Sequence, residues 1–178
     1  DGLYMAFHMP GRDEFDFYVC DLLSDILGNG SSSRLYRHLY KQQQLFSSID
    51  AYITGSVEPG LLIIEGKAAE GVSLQQAEAA VWAELAPLRE KPISRDELQK
   101  LKNKMETTLV FSETNILNKA INLAFFELLG RPQLINEEAE LYRRINAEDL
   151  HRVASEVFRE ENAVVLHYGG NPDLEVRK

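Results

Sequence analysis

A chain of 178 residues with 44% hydrophobic and 26% charged residues has enough apolar material for one buried core, which excludes an intrinsically disordered segment. Its formal net charge of -9 excludes an ordinary nucleic-acid binder, which needs a basic face to displace counterions. The single cysteine, Cys20, excludes an internal disulfide and a multi-cysteine zinc site, and no apolar run reaches the ~20 residues that span a bilayer.

The chain opens Asp1-Gly2-Leu3-Tyr4 with neither an initiator Met nor a basic-then-apolar leader. It therefore reads as a piece of a longer protein whose compartment this stretch does not reveal. Residues 3–9 form a short apolar run closed by Pro10-Gly11 and are expected to be a strand and turn. Asp13, Glu14 and Asp16 then suit the positive end of a helix whose buried face carries Phe15, Val19, Leu22, Leu23, Ile26 and Leu27. Gly28 stands where a left-handed C-terminal cap is expected. Ser31, Ser32 and Ser33 offer the N-cap of a second helix, with Leu35, Leu39 and Tyr36 on its apolar side.

From Ser47 the period changes to two. Ile49, Ala51 and Ile53 face one way and Ser48, Asp50, Tyr52 and Thr54 the other, as in a half-buried strand. Glu58-Pro59-Gly60-Leu61 places Pro and Gly at the centre of a type II turn, so residues 61–69 return as the second strand of an antiparallel hairpin. Ser73 with Gln76 and Ser94 with Glu97 are capping-box patterns that open two helices. The helical pattern from residue 95 to 129 is too long for one ordinary helix, and Ser112-Glu113-Thr114-Asn115 sets a break within it. Gly130-Arg131-Pro132 stops the second part, Asn146 with Asp149 caps a last helix holding Leu150, Val153, Ala154 and Val157, and Ala163–Tyr168 is the closing strand. The order predicts an α+β fold in two layers, helices on one face of a mainly antiparallel sheet. Residues 1–170 are expected to form one domain, and 171–178 a tail or the start of a linker.

The residues alone name no reaction. None of His8, His38, His151 and His167 is three or four residues from another, so a helical two-histidine zinc pair is absent from the sequence. His8 and His167 would become neighbours only if the terminal strands brought them together. Cys20 sits among apolar residues and reads as a small core residue. Gly28-Asn29-Gly30-Ser31-Ser32-Ser33 could hold a phosphate on backbone N–H groups, but the plainer reading is a joint between helices. Acid pairs such as Glu137/Glu138 and Glu160/Glu161 read as solvated surface and dipole partners, and Trp82 and Tyr142 as packing residues.

Three stretches in order carry a resemblance. They are Leu22-Leu23-Ser24-Asp25-Ile26-Leu27-Gly28-Asn29-Gly30-Ser31-Ser32-Ser33-Arg34-Leu35-Tyr36, then Ser112-Glu113-Thr114 with Ala120, then Asn146-Ala147-Glu148-Asp149-Leu150 before a final helix and strand. Together they resemble the pitrilysin/insulinase/mitochondrial-processing-peptidase family of zinc metallopeptidases. The resemblance implies one half of a pair of related α+β halves enclosing a chamber. One half of such a pair carries H-x-x-E-H and the zinc; here the corresponding helix reads Cys20-Asp21-Leu22-Leu23-Ser24-Asp25, which matches the C-terminal, non-zinc half.

The resemblance thus implies no catalytic or metal-binding residue in this chain, zinc in the missing half, and two partners. One is the H-x-x-E-H half, in the same parent chain or a partner subunit; the other is a peptide substrate. Active relatives offer an Arg and a Tyr to the substrate, where this chain has Tyr40 and Ser47. The substrate-binding candidates it implies are therefore Gly28, Gly30, Arg34, Arg37, Tyr40 and Ser47. A structural or assembly subunit of the same fold without proteolysis is the alternative. An apolar face meant for the missing half would also let the fragment dimerise.

Overall fold

Alternating apolar residues and local caps build most of the elements. The computed structural model describes residues 1–169, with only the backbone described at positions 112 and 113; the expected tail at 171–178 lies outside the described residues. Strand β1 (Gly2–Met9) leads into α1 (Phe15–Leu27), a π-helical segment (Tyr36–Gln42), and the hairpin β2 (Phe46–Ile53) and β3 (Gly60–Ala68). Then come α2 (Leu74–Glu90), α3 (Arg95–Thr114), α4 (Ile116–Leu128), α5 (Leu134–Arg144), α6 (Ala147–Val157) and β4 (Ala163–Tyr168). The strands form one sheet in the order β2-β3-β1-β4, every neighbouring pair antiparallel. This is the expected α+β architecture.

Side chains alternate across a pleated strand, and along β1 Leu3, Met5, Phe7 and Met9 point into the core. Met5 lies opposite Ile64 of β3 and Val165 of β4, and Ile64 in turn faces Ala51 of β2. Helices α1, α2 and α6 cover this face, with α6 packed against both others. Phe7 is the centre of the layer: it meets Trp82 of α2 and Phe158 edge-on, with ring centroids 5.7 and 5.3 Å away, a geometry the aromatic quadrupoles favour. Among the described residues, no helix lies over the other face of the sheet. Tyr4, Tyr52, Val164, Leu166 and Tyr168 are exposed there.

Caps form at Ser73, Ser94 and Asn146, one-sided at the two serines and as the full reciprocal box at Asn146. Ser73 accepts from the Gln76 N–H and Ser94 from the Glu97 N–H, each at 3.2 Å. Asn146 and Asp149 make the reciprocal box at 2.9 Å in both directions. Asn115 starts α4 by accepting from the Leu117 N–H at 2.9 Å, so the long helical pattern does break there.

Several expectations are corrected. Gly28 is not left-handed: its φ is -117°, and the left-handed glycine is Gly30, at φ +88°. Gly28 is needed because α1 ends against β2, where a Cβ would sit 2.0 Å from the Ala51 nitrogen. Gly60 lacks the positive φ of a type II turn. It already belongs to β3, and the hairpin closes earlier, through the Thr54 N–H to the Leu61 carbonyl at 2.8 Å. The expected serine cap also fails at Ser33, whose hydroxyl is buried with no hydrogen-bond partner. The helix that follows widens into π geometry, its Gln43 N–H reaching the His38 carbonyl at 2.8 Å. Finally, α5 is a separate helix between Pro132 and Asn146, where no cap pattern marked one.

Candidate functional site

A cleft of about 630 Å³ lies between the segment 25–38 and α3. Local chemistry places its walls. The Gly28 N–H bonds the Ser24 carbonyl at 2.8 Å to finish α1, and the Ser33 N–H closes a turn on the Gly30 carbonyl at 3.0 Å. Leu35 and Leu39, both fully buried, then anchor the next segment. Arg34 reaches across to α3 and grips Glu97 with two parallel bonds, Nε to Oε1 at 3.1 Å and Nη2 to Oε2 at 2.9 Å, the fork geometry that suits a carboxylate. Two turns further along α3, Lys104 Nζ donates to the Asn29 carbonyl at 2.9 Å and lies 3.8 Å from Asp25 Oδ1. On the other flank, His38 Nδ1 meets Glu84 of α2 at 2.8 Å. The cleft is thus strapped to α3 at two heights and braced by α2.

The six residues implied by the resemblance do not share one place. Arg34 and Arg37 line the cleft. Gly30 lies in a shallower neighbouring depression with Asp50 and Tyr52, while Gly28 is wedged on β2. Tyr40 stacks on Tyr36, centroids 4.8 Å apart, and Ser47 sits at the register shift between β2 and β3 with its hydroxyl donating to the Lys67 carbonyl at 3.2 Å. Neither lines the cleft. The terminal histidines also stay apart: Leu3, not His8, lies opposite His167. His167 Nε2 is 2.8 Å from Glu78 of α2.

A buried polar cluster was not visible in the sequence, because its members are more than 100 positions apart. Tyr142 on α5 donates to Asp21 Oδ2 on α1 at 2.6 Å, and Arg12 Nη2 donates to Glu138 Oε1 at 3.0 Å. The Arg12 guanidinium also lies over the rings of Phe17 and Phe125, at 5.3 and 5.1 Å. Burial pushes the Asp21 carboxyl up, against the opposing hydrogen bond from Tyr142. Burial likewise raises Glu138, with Arg12 pulling the other way, and Tyr142 is raised well above its ordinary value by burial and the Asp21 charge. These groups tie α1 to α5 through hydrogen bonds and an ion pair, with Asp21 at the edge of the depression that holds Gly30.

The residues do not fit a catalytic zinc. Among the described residues no three His, Cys, Asp or Glu side chains group as ligands. At the helix expected to match H-x-x-E-H, Cys20 is fully buried and its thiol is pushed up to about 12 by desolvation, far from the thiolate a metal binds. Among the described residues, no helix is long and apolar enough to cross a membrane.

Comparison with known proteins gives the lineage. The chain is 27% identical over 150 residues to the uncharacterized zinc protease YmxG of Bacillus subtilis, covering 84% of this chain and 36% of that protein. It therefore spans about a third of that relative's length. Among solved structures, a protease from Helicobacter pylori superposes with TM-score 0.87 at 20% identity, over 92% of this chain and 39% of that one. An inactive peptidase domain from Bordetella parapertussis superposes with TM-score 0.85 at 23% identity, over 94% and 91%. Complex III2 of Candida albicans contains a chain that superposes with TM-score 0.78 at 17% identity, over 92% and 41%. At these identities the solved structures establish the fold alone. The family model described as the Peptidase M16 inactive domain matches residues 2–105, more than half of the sequence, and the chain belongs to that family.

Proposed function

We propose that this chain is the non-catalytic half of a zinc endopeptidase, enclosing a peptide beside a half that carries H-x-x-E-H. The observation that supports this most is the uncovered face of the sheet. Leu166 and Tyr168 on β4 are 55% and 66% exposed, on the same face as Tyr4 of β1, which lies opposite Leu166, and Tyr52 of the more distant β2. A sheet face that exposes so many aromatic and aliphatic side chains, here beside Asp50, Glu65 and Lys67, is normally covered by another layer or used as a binding surface. Zinc in the partner half would activate water and polarise the scissile carbonyl. This half would contribute the opposite wall, through side chains that exclude water and hold the peptide extended. Tyr40 and Ser47, standing where active relatives place an Arg and a Tyr, would leave that polarisation to the other half.

The test is reconstitution. The chain alone should cleave no peptide and bind no zinc stoichiometrically, and should form a peptide-cleaving complex with its H-x-x-E-H half. One tight zinc site together with peptidase activity in this chain alone would overturn the reading. The likeness to a chain of Complex III2 of Candida albicans favours a second reading, assembly without proteolysis. A stable pair of halves that never cleaves any peptide would select it.

A further inference from the structure

Four of the chain's 19 lysines and arginines, Arg34, Arg37, Lys100 and Lys104, line the one cleft between residues 25–38 and α3, in a protein of net charge -9. Two are already matched, Arg34 by Glu97 and Lys104 by Asp25. Arg37 and Lys100 take part in no ion pair among the described residues, and the acid left free in the lining is Asp96, one turn before Lys100 on α3. The free charge of the cleft is therefore one positive unit.

Two further features point to a ligand. Ser33 lines the cleft at 3% exposure, and its hydroxyl has no hydrogen-bond partner, a state that buried polar groups seldom keep without one. The segment that carries Arg37 and His38 is π-helical, an uncommon geometry concentrated at functional sites. Ile26 and Leu101 supply apolar wall beside these polar groups, and the volume of about 630 Å³ is that of an ordinary small-ligand site.

We propose that this cleft binds a carboxylate of a peptide, with Arg37 and Lys100 facing the charge, Ser33 donating a hydrogen bond, and Ile26 and Leu101 against the adjoining apolar part. The inference rests on the peptide-handling role proposed above and names the chemistry that this chain selects. One net positive charge matches a monoanionic carboxylate, whereas a dianionic phosphate would remain undercompensated beside Asp96. The guanidinium fork of Arg37 suits the planar carboxylate. The carboxylate could be a free C-terminus or an Asp or Glu side chain, and the two are distinguishable.

The experiment uses the intact chain and three dye-labelled peptides of one apolar sequence: a free acid, its C-terminal amide, and the amide with one internal Glu. Fluorescence anisotropy at low ionic strength should show the uncharged amide binding roughly tenfold or more weakly than a charged peptide. Whichever carboxylate-bearing peptide binds more tightly identifies the source. Arg37→Ala and Lys100→Ala should each weaken that peptide roughly tenfold, Ser33→Ala should weaken it severalfold with an unchanged melting curve, and Asp96→Asn should strengthen it. Equal binding of the uncharged amide, indifference to these substitutions, stronger competition by inorganic phosphate than by acetate, or no binding at millimolar peptide would each overturn the proposal. Charge-blind binding would leave the peptide-enclosing role standing. If neither this chain nor its complex with the H-x-x-E-H half bound any peptide, both would fall.

Discussion

Helices α1 and α4 are each 13 residues long and rich in apolar side chains, yet their fates differ. Nine residues of α1 are buried, from Phe17 to Leu27, whereas α4 buries Phe126 and leaves Ile116 86% and Leu128 78% exposed. The difference is what lies beneath them. Helix α1 rests on β2 and is flanked by α6, while α4 touches α3 and α5 at the far end from the sheet. There the attachment is partly polar: Arg12 lies over Phe125 and Phe126 and pairs with Glu138 of α5. Apolar content sets what a helix can bury, and the presence of a second layer sets what it does bury.

Substitutions should widen or close this gap in a graded way. The largest loss is expected from Leu23→Ala in α1, where a fully buried side chain leaves a cavity under the sheet layer, about 2–5 kcal/mol by chemical denaturation. Gly28→Ala should cost about 3 kcal/mol, because its Cβ would collide with the β2 backbone. Gly30→Ala, with open space around the new atom, should cost only about 1–2 kcal/mol from the left-handed backbone. An equal cost for the two glycines would refute the close-packing account of Gly28. Arg12→Leu should cost about 2–3 kcal/mol by leaving the buried Glu138 carboxylate unpaired. Hydrogen exchange should then accelerate in α4 and α5 before it does in α1.

The buried acids make the same contrast depend on pH. Asp21 and Glu138 have folded pKa values raised above their ordinary ones, so the folded state holds protons that the unfolded chain releases. Their contribution is most favourable below the unfolded values and is lost as pH rises through the raised folded values. Asp21→Asn should therefore raise the melting temperature at pH 7, and its advantage over the wild type should shrink as pH falls toward 4. An advantage that grew on acidification would contradict the sign. The smallest effect is expected at the exposed helix: Ile116→Ser should change stability by no more than about 0.5 kcal/mol. A loss as large as that of Leu23→Ala would mean that α4 is covered in solution.

Legibility followed range along the chain. The caps at Ser73, Ser94, Asn115 and Asn146 could be read because donor and acceptor lie within three residues of one another. The alternation in β2 could be read because one sheet face is buried, and β1 could be read as a short apolar run closed by Pro10-Gly11. The register shift at Ser47 and the π-helical widening after Leu35 left no periodic trace, since both answer to packing against other elements. Of the candidate site, Arg34 and Arg37 were marked beforehand as substrate-binding candidates and Ser33 as a cap in a loop able to hold a phosphate, while Lys100 and Lys104 were not marked. Nothing local brings α3 against the 25–38 segment.

By itself, the sequence determined the order of the strands and of the helices other than α5, the two-layer α+β class and the family resemblance, because these rest on periodicity, capping and short motifs. Tertiary structure alone decided that Gly28 serves close approach instead of handedness, that Arg12 meets Glu138 and Asp21 meets Tyr142, and that four cations converge on one cleft. The reason is physical: short-range hydrogen bonds and side-chain periodicity are written in neighbouring residues. Burial, charge pairing and cavities exist only once distant segments share the same space.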